Sequence, residues 1–207
     1  MAKLEPGVVD ILIRSRQTIL DVLEDRGYNS DPYRDISPEQ IAVLAVNPRS
    51  MDMTVDRRRD DAPRDQAMVV YMTETVIAPR FIESKMSEIE TTADLIVILN
   101  QDYNEAFDQY SLKVWRENEM RVTFFHIKQM VVHLGRHVLV PPHRKLTEAE
   151  ARVEMERYSV TQKTQFPLIK HSDIQARLMG LVPGEIVEVL RPSPTAGVAR
   201  VLRICAA

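Results

Sequence analysis

One cysteine, six glycines and an aromatic share of 6% in 207 residues are all scarce, and each scarcity removes a class of protein. Cys205, the single thiol, forms no internal disulfide, so the fold has to rest on packing, as suits a reducing compartment. Six glycines leave little material for a phosphate-cradling loop, and neither a glycine-rich nucleotide fingerprint nor a serine-centred nucleophile elbow occurs. No apolar run approaches the ~20 residues of a membrane-crossing helix. The opening residues Met1 to Pro6 lack the apolar core and small-residue cleavage site of a secretory leader. No membrane partner is expected.

A strong excess of cations is also missing. The formal net charge is −3, and it is unevenly spread. Residues 137–207 carry 10 lysines and arginines against 7 acids, whereas residues 1–136 carry 17 against 23. Modules that grip DNA alone do so through many Lys and Arg contacts to phosphate. Neither stretch has that balance, so autonomous nucleic-acid affinity is not expected. With 44% hydrophobic and 28% charged residues, the chain reads as an ordinary folded protein of one large or two modest domains.

Hydrophobic periodicity places the elements. Val8, Leu12, Ile19 and Leu23 recur at helical spacing, with Arg14, Arg16, Asp21 and Glu24 among polar positions, and Gly27 closes the helix. Ser37-Pro38-Glu39-Gln40 is a capping box that opens a shorter helix to about Val46. The charged stretch Met51 to Gln66, with Arg57-Arg58-Arg59 between acids, predicts a surface loop. Ala67 to Met72 suits a buried strand, and Pro79 opens a helix over 80–90 with Phe81, Ile82, Met86 and Ile89 on one face. Leu95 to Leu99 is apolar on both faces, the mark of a central parallel strand. A helix over Glu105 to Glu117, with Trp115 assigned to the core, and a strand over Met120 to Phe125 follow. Strands separated by helices predict an α/β N-terminal domain, residues 1–136, with a partly parallel sheet and flanking helices.

Beyond it the pattern changes. His137 to Val140 predicts a strand stopped by Pro141-Pro142. Thr147 to Glu150 and Ser172 to Gln175 are capping boxes for two helices, the second ending at Gly180. Pro183-Gly184 fits the centre of a type II turn. Glu185 to Leu190 and Val198 to Ile204 predict two strands joined by a stiff loop, Arg191-Pro192-Ser193-Pro194-Thr195-Ala196-Gly197. Residues 137–207 thus predict a small α+β domain.

Catalytic chemistry finds little support. Asp65 with Glu83-Ser84-Lys85 has the residue types of a metal-dependent nuclease, but Glu83 and Lys85 fall in a helical pattern. There, two residues apart means divergence by about 200°. His133 and His137 have the spacing of a helical metal pair, yet His137 falls in a predicted strand and no further ligands gather. Cys205 has no neighbouring histidine to activate it. No catalytic residue, metal, cofactor or small-molecule substrate is assigned.

His137-Val138-Leu139-Val140-Pro141-Pro142-His143, Gln165 to Ile169, Asp173, Ala176-Arg177, Gly180, Pro183-Gly184 and the loop Arg191 to Gly197 come in a familiar order. Together they resemble the C-terminal assembly domain of the fifth subunit common to eukaryotic nuclear RNA polymerases, a domain that stands alone in the archaeal counterpart. Pro194 stands where that family usually has an acid, and Ile174 where it usually has a proline. Upstream, Leu23 to Tyr28, Met68 to Tyr71, Leu95 to Leu99 and Phe124 to His133 resemble the eukaryotic N-terminal domain more loosely. Divergent versions are also encoded by large DNA viruses. The resemblance implies a non-catalytic polymerase subunit. By that resemblance it would dock on the largest subunit through Arg191, Pro192, Ser193, Thr195, Ala196 and Gly197, contact other subunits, and place residues 1–136 in a jaw with at most weak downstream-DNA contact. It implies the nucleus for a cellular source, and the virion or host cytoplasm for a viral one. A divergent nuclease and a free-standing adaptor that borrowed the fold are the rival readings.

Overall fold

Helix α1 (Pro6–Asp25) buries Leu12, Ile19, Leu20, Val22 and Leu23, as the periodicity predicts. Its buried surface is wider than expected: Ser15, Arg16 and Thr18 are buried too. Arg16 was expected among polar positions. It is instead held inside, donating to the Met51 carbonyl at 3.3 Å with its guanidinium over the Tyr33 ring. The computed structural model describes residues 6–44, 46, 48–58, 66–72 and 93–207. The expected helix over 80–90, and with it Asp65, Glu83 and Lys85, lies outside the described residues.

The chain forms two compact units, Met1–His133 and Leu134–Ala207, against the boundary at 136/137 expected from sequence. In the first, α2 (Pro38–Leu44) starts at the expected box, Ser37 N–H donating to Gln40 Oε1 at 2.9 Å. Strands β1 (Met53–Asp56), β2 (Gln66–Met72), β3 (Asp94–Leu99) and β4 (Arg121–His126) lie in that order across one sheet. β2, β3 and β4 are parallel and β1 runs antiparallel to β2. β3 is central with every side chain buried, as its unbroken apolarity predicts. At 53–56 β1 corrects the surface-loop reading of 51–66: Met53 and Val55 point inward while Thr54 and Asp56 face out, and residues 59–65 lie outside the described residues. On β4 the predicted alternation fails, because Arg121 and Thr123 are buried along with Val122 and Phe124.

Helix α3 (Glu105–Asn118) covers the sheet with Val114, beside Phe107 and Tyr110, against Phe124, Val97 and Leu95. Trp115, assigned to the core by spacing, is only half-buried; Ser111 and Val114 are the buried residues of this helix. Arg121 is buried because it has a partner. Asp94 lies opposite it in register and takes its guanidinium at 3.1 Å, and Arg26 approaches the same carboxylate at 3.7 Å. Asp94 is 1% exposed and Arg26 3%. Burial brings Arg26 down to about 10, with Asp94 opposing the fall, so it stays a cation at neutral pH. Tyr28 is pushed up to about 12 by burial first and by Asp94 second.

In the second unit, β5 (His143–Lys145), β6 (Leu168–Lys170), β7 (Ile186–Ser193) and β8 (Gly197–Ala206) form a mixed sheet of order β5-β7-β8-β6. The period of two sends alternate side chains to opposite faces. Ile186, Leu202 and Ile204 meet Ala151 and Met155 of α4 (Glu148–Arg157), together with Leu146 and Phe166. Val187, Val189 and Cys205 meet Ala176 and Met179 of α5 (Ile174–Met179), together with Ile169 and Leu181. α4 opens on the expected Thr147/Glu150 box, but the cap of α5 is Asp173, not Ser172, accepting from the Gln175 N–H at 2.8 Å. Gly184, at φ 92°, turns the chain into β7, and the Glu185 N–H closes the turn on Val182 O. That φ is one only glycine adopts without strain.

Two expectations fail here. His137 to Val140 is an exposed turn rather than a strand, with Val138 92% and Leu139 83% exposed. The strand begins after the two prolines, at His143, because the Pro142 carbonyl is the first group that β7 captures, accepting from the Leu190 N–H at 3.0 Å. Likewise the predicted loop 191–197 is mostly strand, since β7 continues through Arg191, Pro192 and Ser193, paired with β8 as far as Gly197.

Candidate docking site at the terminal hairpin

The β7–β8 hairpin is longer than the core that covers it. Buried residues end at Val189 on β7 and resume at Leu202 on β8. Between them the strands are exposed or half-buried, with Leu190 38% and Val198 62% exposed. The tip is Pro194-Thr195-Ala196, where Ser193 Oγ accepts from the Ala196 N–H at 3.3 Å and lies 3.4 Å from Thr195 Oγ1. Gly197 takes φ 68°, and no atom lies within 4 Å of where a Cβ would stand. Glycine is there for backbone conformation, with open space beside it.

The root of the hairpin is held by charge. Arg144 of β5 pairs directly across from Glu188 of β7, and its Nε donates to that carboxylate at 2.9 Å while its other nitrogen reaches Glu150 at 2.6 Å. Arg200, diagonal to Glu188 across the hairpin, donates to Glu188 and reaches Glu154 of α4 at 2.7 Å. Hydrogen bonds to Glu154 and Glu188 raise Arg200 above its ordinary value, and those to Glu150 and Glu188 raise Arg144. Glu188 is held low, first by Arg200. One ladder of alternating charge therefore ties β5, β7, β8 and α4 together. Cross-strand pairs of opposite sign each add a fraction of a kcal/mol, and a linked set adds geometry as well.

Beyond this root the hairpin has one sign of charge. From Val189 onward come Arg191, Arg200 and Arg203 and no acidic side chain. Arg200 is engaged in the ladder, whereas Arg191 and Arg203 have no carboxylate partner among the described residues, Arg203 donating instead to the Leu168 carbonyl at 3.1 Å. The residues predicted for partner binding thus separate into three places. Arg191, Pro192 and Ser193 end β7, Thr195 and Ala196 lie in the turn, and Gly197 begins β8. They form a single projecting feature. Sequence reasoning missed the exposure of Val138 and Leu139, just before Pro142, whose carbonyl accepts from the Leu190 N–H of the hairpin. The available signal was two apolar residues placed before a proline pair that bars them from a ladder.

The projection is exposed, cationic and partly apolar. His133 Nε2 lies 3.2 Å from Asp25, and His137 Nδ1 accepts from the Leu139 N–H, so each of the two histidines is engaged locally. Cys205 is buried in β8. Among the described residues no three His, Cys, Asp or Glu side chains gather to hold a metal ion.

Comparison with known proteins finds related sequences along the chain. Residues 132–205 match the family described as RNA polymerase Rpb5, C-terminal domain. Over 206 residues the chain is 26% identical to the DNA-directed RNA polymerases I, II, and III subunit rpabc1 of Dictyostelium discoideum, covering 95% of this chain and 98% of that protein. It is 28% identical over 203 residues to subunit RPABC1 of Caenorhabditis briggsae, covering 90% of this chain and 91% of the relative. Over 72 residues it is 46% identical to the DNA-directed RNA polymerase subunit Rpo5 of Pyrococcus abyssi, covering 35% of this chain and 87% of the archaeal protein.

Proposed function

Because this chain belongs to the Rpb5/Rpo5 family of DNA-directed RNA polymerase subunits, we propose that its terminal hairpin is the surface by which it docks on the largest polymerase subunit. It is a non-catalytic subunit; the chemistry of RNA synthesis lies elsewhere in the assembly. The observation that carries the docking reading is the hairpin's projection past its own core, ending in Arg191 and a tip preorganised by Ser193 and Gly197. A preformed tip loses little conformational freedom on binding.

The first unit is proposed to stand in the downstream jaw. Its acidic balance, 17 Lys+Arg against 23 Asp+Glu over residues 1–136, supports at most an ancillary DNA contact there. The subunit would act wherever its polymerase acts, in the nucleus for a cellular source and in the virion or host cytoplasm for a viral one.

Co-expression with the largest subunit tests the docking surface. Arg191→Ala is expected to weaken the complex roughly tenfold, about 1.4 kcal/mol, with the melting temperature of the free chain unchanged. Equal losses of binding and of thermal stability, or full binding by the variant, would remove the hairpin from the interface.

A further inference from the structure

The two edges of the projecting hairpin are not alike. Along β7 the even-numbered residues turn their backbone groups toward β5: Leu190 N–H donates to Pro142 O, and Ile186 O accepts from the Leu146 N–H. Odd-numbered residues therefore face β8. Past Leu190, where β5 has ended, the outward position of β7 is Pro192, which has no N–H to offer. Proline at that place costs the hairpin no ladder bond and bars another strand from pairing there.

The β8 edge is the reverse case. Odd residues face β7 again, as the Cys205 N–H donating to Glu185 O shows, and even residues face outward, as the Ile204 N–H donating to Pro167 O shows. Strand β6 pairs with β8 only from Ile204 to Ala206. Upstream of it, Arg200 and Leu202 direct both N–H and C=O away from β7, and neither bonds any backbone group outside the hairpin among the described residues. This is an open edge in line with β6, with no proline and flanked by Val198, Ala199 and Val201, which are exposed or half-buried. The hairpin is guarded on one side and open on the other.

Charge indicates what fits. Arg191, Val201 and Arg203 share one face of the hairpin by the period of two, and neither arginine has a carboxylate partner among the described residues. The Arg203 guanidinium reaches over the first residue of β6, where a strand laid along the open edge would meet it. We propose that the edge of β8 from Val198 to Leu202 takes an extended acidic segment of the docking partner as an added strand, its carboxylates turned toward Arg191 and Arg203. This rests on the docking reading above and supplies its mode: main-chain pairing for affinity, charge for orientation.

Hydrogen exchange on the intact polymerase reads the edge directly. The Arg200 and Leu202 amides are expected to exchange at least roughly tenfold more slowly in the purified assembly than in the free chain, while the Val201 amide, already bonded to β7, is slow in both. Unchanged exchange at Arg200 and Leu202 overturns the proposal. A variant pair gives a second route. Arg200→Ala loses the ion pairs and keeps the N–H, whereas Arg200→Pro loses both. Arg200→Pro is expected to bind the largest subunit about tenfold more weakly than Arg200→Ala. Equal binding overturns strand addition, and if Arg200→Pro does not fold, the exchange experiment alone decides. The charge component is read by salt, which should weaken the wild-type complex more than that of an Arg191→Ala, Arg203→Ala double variant; equal salt sensitivity rejects an acidic segment. If Arg191→Ala weakens docking while the two amides stay unprotected, docking stands and strand addition falls. If neither responds, both fall.

Discussion

The two units use charge in opposite ways. In the first, a single carboxylate, Asp94, is sealed at the start of a parallel sheet, and two arginines approach it from another strand and from the end of α1. In the second, Arg144, Glu188, Arg200, Glu154 and Glu150 form a ladder across one face of a sheet, with Arg144 and Glu150 about half exposed. A sealed carboxylate fixes the interior, because removing it strands two desolvated cations. A ladder near water fixes a surface, because its charges hold strands in register at modest energy. Stability is concentrated in the one and presentation in the other.

The sharpest way to break that contrast is Asp94→Asn. The change keeps the side chain's size and removes the charge that Arg26 and Arg121 share, so a loss of about 3–5 kcal/mol is expected. Trp115, the only tryptophan, lies in the first unit and reports its unfolding in denaturant by fluorescence. Salt should change the loss little, since a sealed pair is poorly screened. A loss below about 1 kcal/mol would put Asp94 in the same class as an exposed ion pair.

Glu188→Ala probes the other side. It removes the acceptor common to Arg144 and Arg200, and the expected cost is about 1.5–3 kcal/mol, the range for hydrogen bonds to charged groups. Here added salt should narrow the gap between variant and wild type, because Arg144 is half exposed. The variant should also loosen the hairpin, read as faster exchange of β7 amides beyond Leu190. A salt-independent loss as large as that of Asp94→Asn would mean that both units use charge alike.

What could be read from the sequence was what is locally encoded. The β3 strand, the boxes at Ser37 and Thr147 and the turn at Pro183-Gly184 each depend on residues adjacent in the chain, and each forms as expected. Several of the misses needed a distant partner. β1 is four residues that pair with β2 across the charged stretch between them. Arg16 is buried because Met51, far along the chain, offers a carbonyl. Ser172 lost the cap to its neighbour Asp173, a local slip of one residue. At the hairpin, Pro192 argued for a loop, yet proline is harmless in a strand where its missing N–H faces outward, and that parity is set by β5. Val138 and Leu139 read as a strand because apolar runs are usually buried; nothing local marks this run as exposed.

The smallest expected effect lies at the start of α4, where the ladder meets a helix cap. Thr147→Ala removes the side-chain acceptor for the Glu150 N–H and should cost about 1 kcal/mol. Glu150 closes the same box from the other side. The Thr147 N–H, then Arg144, hold its carboxyl down at about 2, against 4.5 when unperturbed. A carboxyl lowered by folding binds fewer protons in the native than in the unfolded chain between those values. Its contribution is therefore complete above pH ~4.5 and drains away as pH falls toward ~2. Glu150→Gln removes this titration, so the second unit's stability should fall less steeply with acid in the variant than in the wild type. Far-ultraviolet melts at neutral pH and near pH 3 would show it as a shrinking difference between the two proteins. A difference that stays constant or grows on acidification would mean that Glu150 gains nothing from its box, and that the ladder reaches α4 through Glu154 alone.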